Sequence, residues 1–600
     1  MYATSYYLNC FQFPHGKFQR LTGKKKTLRT LPGKKEVTGT FQDFYALNKM
    51  FMPVSQIASF IEGIEFFHDL KRDDKNVVFI DVFTETEVIK DGIQWVDNDT
   101  GEVFKQDKTV KKFNTFFWKR LGDLEVHVIQ DLEKAIDFLV QQNIVCAFNL
   151  KRHHLKVLKD ASMNDYRILR VGGEDPFPVL KSSLEVDLRL WVELGYRTDE
   201  PFINPFQLAR QLGFQGKEVL EDTPLKSVNN LHVAEYLYQN SCTVDLFNYV
   251  IGKTRCDPNW LQFQFENNIR RYLLHAIYME NGYFIAQPPV PEPHESHAPF
   301  NDARPGFYEN YVEYDVEKAY TNLMIQGEHK MYDEDESLLS KFYQEMITLG
   351  KEKPSLSRFT KNTANHFIGA LNPKKRESLF KKPTIWKSIV SACQEKMQAL
   401  WNTQPDAVYS RVDNIIISES SPPPSVPGFS FKSERLKWVV VYNKGRRLWL
   451  SKDDGKIKKS GFDKARVWYA QVFRDAIEFM DYSLSKSEDP EKDLENPRVI
   501  IQDFLEGLEE LYKKEPERFV NKPYKKDKEA KIGELALVWK SLPMGFNRVY
   551  LNDFPHGYSR KPEDFRLQAY KDKILDLVDE YALSTIGTKP LEVDELAQEA

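Results

Sequence analysis

The stretch YVEYDVEKAYTN (Tyr311–Asn322) decides how this chain is read. It reads as a strand ending at Asp315, with a helix beginning directly after it and Tyr320 five residues on. An Asp between a strand and a helix is often only a helix cap. Its meaning depends on two other segments. RFTKNTANHFIG (Arg358–Gly369) reads as a helix. At 100° per residue, Arg358, Lys361 and Asn365 fall within an arc of roughly 60°, one polar, cationic face suited to an anionic ligand. VYSRVDNIIIS (Val408–Ser418) is an apolar run around Arg411, Asp413 and Asn414. It reads as a buried strand or hairpin tip, and strand alternation predicts that Arg411 and Asp413 point the same way.

Two carboxylates from separate strands and a basic helical face are what nucleotidyl transfer requires. Asp315 and Asp413 would hold two Mg²⁺ ions between the attacking hydroxyl and the α-phosphate, with Mn²⁺ able to substitute. Arg358 and Lys361 would neutralise the triphosphate as charge moves to the leaving pyrophosphate, with Lys351 and Lys353 as weaker additions. Main-chain N–H groups from Val316 onward would cradle phosphate oxygens.

At these residues the chain resembles the B-family DNA polymerases. Their first palm motif, Asp-x-x-Ser-Leu-Tyr-Pro-Ser, is matched by Asp315-Val-Glu-Lys-Ala-Tyr320-Thr-Asn. Their fingers motif, Lys-x-x-x-Asn-Ser-x-Tyr-Gly, is matched from Lys361 through Asn365 to Gly369. Their second palm motif, Tyr-x-Asp-Thr-Asp-Ser, is matched by Tyr409-Ser-Arg-Val-Asp413-Asn, and the later Lys-x-Tyr element is echoed by Arg447-Leu-Trp449. The resemblance implies that Tyr320 packs under the sugar and excludes a ribose 2′-hydroxyl, and that Gly369 lies close to the templating base. Tyr409, Arg447 and Lys459 are expected along the DNA, as is Arg411, through a primer phosphate. Tyr409 also reads as a structural aromatic, and Lys459 reads equally as a solvated hairpin lysine.

The resemblance extends upstream to a proofreading exonuclease. NVVFIDVF (Asn76–Phe83), AFNLKRHHLKVL (Ala147–Leu158), PFQLARQLGFQGK (Pro205–Lys217) and SCTVD (Ser241–Asp245) resemble its motifs in order. Asp81, Asn149 and Asp245 remain, whereas Phe83, His154 and Ser241 stand where the family has Glu, Asp and Tyr. Two Asp residues do not offset two divalent cations, and imidazole is a poor Mg²⁺ ligand. Proofreading is therefore expected to be lost, unless Asp187 or Asp160 rescues the site with another geometry. In the palm, Arg411 replaces the accessory acid while the essential pair, Asp315 and Asp413, survives. A cation beside a metal is tolerable only if Arg411 turns away, toward a primer phosphate or toward Glu313 or Glu317.

The chain has 600 residues, enough for several domains, and a composition of 41% hydrophobic, 13% aromatic and 29% charged residues. Its net charge of −4 means that any nucleic-acid site is local. Five scattered cysteines without a C-x-x-C argue against a zinc site or a disulfide framework and fit a reducing, cytoplasmic setting. No signal peptide or membrane-length apolar run is present. The fold expected is a multidomain α/β right-hand polymerase after an RNase H-like exonuclease-type domain. Its parts are an N-terminal segment (1–75) with a basic loop at Gly23–Lys35, a degenerate exonuclease-like domain (76–255), palm (256–330), short fingers (331–372), palm again (373–462) and a helical thumb (463–600). Compact size and eroded motifs point to a viral, phage or mobile-element enzyme acting on a DNA primer-template and dNTPs, with accessory replication proteins. The alternative is a catalytically inactive, polymerase-derived DNA-binding or assembly subunit. Protein-primed or primer-independent synthesis is a third reading, for which the short fingers leave little room.

Overall fold

The computed structural model describes residues 10–12, 18–48, 52–66, 69–96, 103–162, 167–171, 177–180, 183–196, 204–219, 223–261, 266–289, 300–372, 381–462, 471–515, 518, 520–521, 536–542, 545–550 and 567–587. The chain divides into two units, Met1–His294 with Met324–Trp386, and Glu295–Leu323 with Lys387–Ala600. Much of the charged run 513–531 lies outside the described residues.

In the first unit, strands Lys26–Leu31 and Lys35–Gly39 form a hairpin, and Tyr283–Ile285 pairs parallel to Lys26–Leu31. Helices Phe41–Leu47, Val54–Glu62 and Glu266–Glu280 close a core around Phe41, Phe44, Ile57, Ala276 and Phe284. Residues 266–285, expected in the palm, therefore pack with the N-terminal strands. The basic stretch Gly23–Lys35, expected as a loop, is thus largely strand, and in its turn Lys34 Nζ bonds Asp335 at 2.8 Å and the Gly33 N–H bonds Asp333 at 3.2 Å.

The α/β region of this unit is a five-stranded sheet in the order Leu184–Asp187, Ile144–Ala147, Val77–Val96, Val103–Arg120, His127–Ile129. The first three strands are parallel and the rest antiparallel. Two readings from sequence are corrected. LEVD (184–187) is a strand rather than the start of a helix, because Val186 and Asp187 pair with Cys146 and Ala147. The strand at Asn76–Phe83 continues to Val96 and returns as a long antiparallel partner, with a register shift at Phe83/Thr84. Helices Leu338–Glu352 and Ser357–Leu371 form a hairpin, with Phe342 packed edge-on against Phe367 at 4.9 Å. The buried side of the second helix is Phe359, Thr360, Thr363, Ala364, Phe367 and Ile368. This leaves Arg358, Lys361 and Asn365 exposed together, as the helical period predicts.

The second unit is built on a seven-stranded antiparallel sheet in the order Asn301–Ala303, Tyr409–Arg411, Asn414–Ser418, Gly306–Val316, Phe431–Val441, Arg447–Ser451, Ile457–Ser460. KWVVVYNKGRRLWLSKDDGKIKKSGF is thus two successive hairpins, the second turning at Gly455 with φ +66°. One face carries Trp438, Val440, Tyr442, Leu448 and Leu450, covered by helices Gln471–Lys486, Gln502–Lys514 and Leu567–Asp579. The C-terminal region is not wholly helical, because Val520–Asn521, Ala536–Leu542 and Gly545–Tyr550 form a three-stranded sheet. No helix among the described residues is long and apolar enough to cross a membrane.

Candidate functional site

The opposite face of the large sheet carries an apolar cluster around Tyr409, Ile416, Val439, Val441 and Trp449 and, beyond it, a row of polar residues. In-register residues share a face, and Asn301, Arg411, Asn414, Asp315 and Lys432 form one row across five strands. Asp315 stands exposed near the end of its strand. Asp413 is half-buried and lies one residue before Asn414, the register partner of Asp315. The Val316 N–H donates to the Asp413 carbonyl at 2.8 Å. Two residues 98 positions apart (413 − 315) are thereby brought together, Asp315 on its strand and Asp413 in the turn that enters the neighbouring strand.

Val412 and Asp413 form the two-residue turn of the Tyr409–Arg411/Asn414–Ser418 hairpin. Val412 has φ +62°, a region that suits glycine and is costly for a β-branched residue. Such strain is typically about 1–3 kcal/mol and persists where surrounding bonds over-determine it. Here the Val412 N–H donates to the Phe300 carbonyl at 2.9 Å, and the Cys393 thiol donates to the Val412 carbonyl at 3.5 Å. The strand alternation expected between Arg411 and Asp413 is overturned, since a turn residue separates them.

Behind the row lies a buried ion pair. Glu313, two residues before Asp315 on the same face, accepts from Arg447 at 2.6 Å and from Asn414 Nδ2 at 3.0 Å. The Arg447 guanidinium lies over the rings of Tyr409 (4.6 Å) and Trp449 (4.4 Å). Burial raises the Glu313 pKa, and the nearby Arg447 opposes that rise. Glu317 is engaged by Ser430 Oγ at 3.3 Å and Lys432 at 3.5 Å. Neither acid takes Arg411: its side chain is exposed, and among the described residues no carboxylate pairs with it. The sequence contains the signal for Glu313, since i and i+2 on a strand share a face. It contains none that Arg447 would be its partner.

Several expectations change. Arg447 and Tyr409 are buried rather than displayed for DNA, with the Tyr409 hydroxyl donating to the Lys444 carbonyl at 3.3 Å. Lys459 is held by Asp481 and the Tyr581 hydroxyl, both at 2.7 Å. The Val316 and Glu317 N–H groups are taken by Asp413 and Ser430 carbonyls, so they do not form the phosphate cradle. Tyr320 is half-buried, and burial, with smaller effects of Cys393 and Asp413, raises its pKa and keeps it a neutral phenol. Asp315 and Asp413 are hard oxygen donors of the kind Mg²⁺ favours, at least one of them open to solvent. No group of three His, Cys, Asp or Glu among the described residues is gathered to hold a metal ion.

In the α/β region of the other unit, Asp81 is 7% exposed and accepts from Asn230 Nδ2 at 3.1 Å. His154 does stand beside it, 4.0 Å away. Its Nδ1 accepts from the Val82 N–H at 3.0 Å and its Nε2 faces the Phe148 carbonyl at 3.1 Å. Burial lowers its pKa to about 4, so it is neutral and the contact is no ion pair. Asn149, in left-handed backbone at φ +63°, accepts from Arg189 at 2.9 Å. Asp245 is bound by Arg72 at 2.8 Å and Ser355 at 2.9 Å. A cavity of about 420 Å³ opens at Asp81, Asn149 and His154, and neither Asp245, Asp187 nor Asp160 lines it.

No family model matches the chain, and no curated protein matches it. Among solved structures, it is similar to the family B DNA polymerase from the hyperthermophilic archaeon Pyrobaculum calidifontis, with a TM-score of 0.53 and 12% sequence identity. The match covers 86% of this chain and 78% of that one. At that identity the likeness is one of fold: the mixed α/β fold of this protein is similar to that of a family B DNA polymerase.

Proposed function

We propose that the protein is a template-directed DNA polymerase that adds deoxynucleotides to a primer 3′-hydroxyl, using Asp315 and Asp413 as the ligands of Mg²⁺, and that it does not proofread. The observation that carries this reading is the adjacency of Asp315 and Asp413 on one polymerase-like sheet. Bound there, divalent cations would activate the hydroxyl and neutralise the reacting phosphate. The chain's own residues position and select. The strained turn fixes Asp413, and the buried Glu313–Arg447 pair holds Asn414 between the Arg411 and Asp315 strands. Tyr320 excludes the ribose 2′-hydroxyl. Arg358, Lys361 and Asn365 bind triphosphate through their exposed helical face, and Gly369 follows on the same helix. Arg411, exposed within the row, meets a primer phosphate.

Loss of proofreading is supported by the Asp81 cavity, where a neutral His154 replaces an acid and Asp245 is bonded elsewhere. A second reading, an inactive polymerase-derived DNA-binding subunit, is favoured by one observation: a cation, Arg411, stands in the row that contains Asp315. Extension of a labelled primer in Mg²⁺ or Mn²⁺, beside Asp413→Ala and with a 3′-mismatched primer, separates these readings. Extension abolished by Asp413→Ala supports the polymerase. No extension under any condition supports the subunit, and removal of the mismatch refutes the loss of proofreading.

A further inference from the structure

Asp245 does not face the Asp81 cavity and has taken other partners. It lies on helix Thr243–Thr254, where Arg72 holds its carboxylate at 2.8 Å. The same oxygen accepts from Ser355 Oγ at 2.9 Å. Ser355 belongs to the turn that joins helices Leu338–Glu352 and Ser357–Leu371. One helical turn beyond Asp245, the Tyr249 ring meets Phe359 edge-on at 6.3 Å, and its hydroxyl donates to Glu345 at 3.0 Å. One turn further, Lys253 bonds Glu345 at 2.8 Å and Glu280 at 2.7 Å. Asp245, Tyr249 and Lys253 are spaced i, i+4 and i+8, so a single stripe of this helix engages both helices of the hairpin and the turn between them.

Phe359 is fully buried, whereas Arg358 and Lys361 on either side of it are exposed. Ser355 lies just before the helix that bears these two cations, so its bond to Asp245 fixes the end from which they start. Cations on an anchored helix meet a ligand without the entropy loss of ordering the backbone that carries them. We propose that Asp245, Tyr249 and Lys253 are positioning residues for nucleotide binding: they anchor the helical hairpin and so hold Arg358 and Lys361 in place for a triphosphate. The acid retained from the exonuclease-like motif serves as an anchor rather than as a metal ligand. The proposal rests on the reading of Arg358 and Lys361 as triphosphate ligands, and it adds a part for the exonuclease-like region in nucleotide affinity.

The test uses variants of the full-length protein. Ser355→Ala removes the bond to Asp245 and leaves the Asp245–Arg72 pair, and Tyr249→Phe removes the bond to Glu345 and keeps the ring on Phe359. In primer extension the double variant should raise the dNTP KM about three- to tenfold, with kcat and primer KM within about twofold of the parent. Ser355→Thr, which keeps a hydroxyl, should retain the parental dNTP KM. Asp245→Ala with Ser355→Ala should raise it no further than Asp245→Ala alone, because both delete one bond. Hydrogen exchange supplies a readout independent of activity: the amides of 353–361 should exchange faster in the double variant, and those of strand Ile144–Ala147 should not change. Unchanged exchange over 353–361, an unmoved dNTP KM, or a loss shared equally by kcat and both KM values overturns the proposal. A wild-type protein that extends no primer refutes the polymerase reading instead, and dATP affinity in equilibrium dialysis then replaces KM as the measure of the anchor.

Discussion

Replacing Arg411 by Gln tests the electrostatics of the candidate active site directly. Arg411 and Asp315 lie in one row with Asn414 between them. Two strand spacings put their Cα atoms about 10 Å apart. A unit charge at about 10 Å opposes a divalent ion by about 3 kcal/mol at an effective dielectric of 20, and by under about 1 kcal/mol in bulk water. Arg411 is exposed, which places the effect toward the lower end, at about 1 kcal/mol. Arg411→Gln should therefore lower the Mg²⁺ concentration for half-maximal extension by roughly fivefold, and the gain should shrink as salt rises. If Arg411 also meets a primer phosphate, the primer KM rises while the nucleotide KM stays put. The assay is extension of a labelled primer, titrated in turn with Mg²⁺, primer and dNTP at two ionic strengths. Equal loss of primer and nucleotide affinity, with no shift in the Mg²⁺ requirement, refutes the reasoning.

Arg447→Met should destabilise the second unit by about 3 kcal/mol at neutral pH, because it strands the buried Glu313 carboxylate. Burial already raises the Glu313 pKa and loss of Arg447 raises it further, so the penalty grows as pH rises and fades where Glu313 is protonated in both states. Calorimetry at pH 5 and pH 8 checks this, and a pH-independent loss would assign the effect to the aromatic stack alone. The His153 and His154 pKa values are both lowered to about 4, below the ordinary 6.5, so the folded state binds fewer protons there. Stability should thus fall as pH drops from about 6.5 toward 4, and less so in His154→Gln; identical acid sensitivity in both proteins contradicts the assignment. Val412→Gly should raise the melting temperature, since relief of left-handed strain of about 1–2 kcal/mol exceeds the roughly 0.5–1 kcal/mol entropy cost of glycine. A lower melting temperature would show that Val412 packing dominates. Tyr320→Val should increase ribonucleotide incorporation roughly 10- to 100-fold relative to deoxynucleotides, read by competing the two in primer extension.

Local patterns were legible in the sequence because they depend on the period of a single element. The helix that exposes Arg358, Lys361 and Asn365 follows from its 3.6-residue repeat, and the strand that displays Asp315 follows from its two-residue alternation. The order of short motifs likewise pointed to the polymerase-like fold that the solved archaeal enzyme shares. What depends on pairing between distant segments was decided only by tertiary structure. Sequence alternation put Arg411 and Asp413 on one strand, whereas the register of two paired strands makes Val412–Asp413 a strained turn. Nothing local distinguishes Arg447, locked to Glu313, from a lysine or arginine displayed to DNA, because the partner lies 134 residues away. The same holds for the Asp81 cavity. The cations that line it come from three separate stretches of chain, and only folding brings them together.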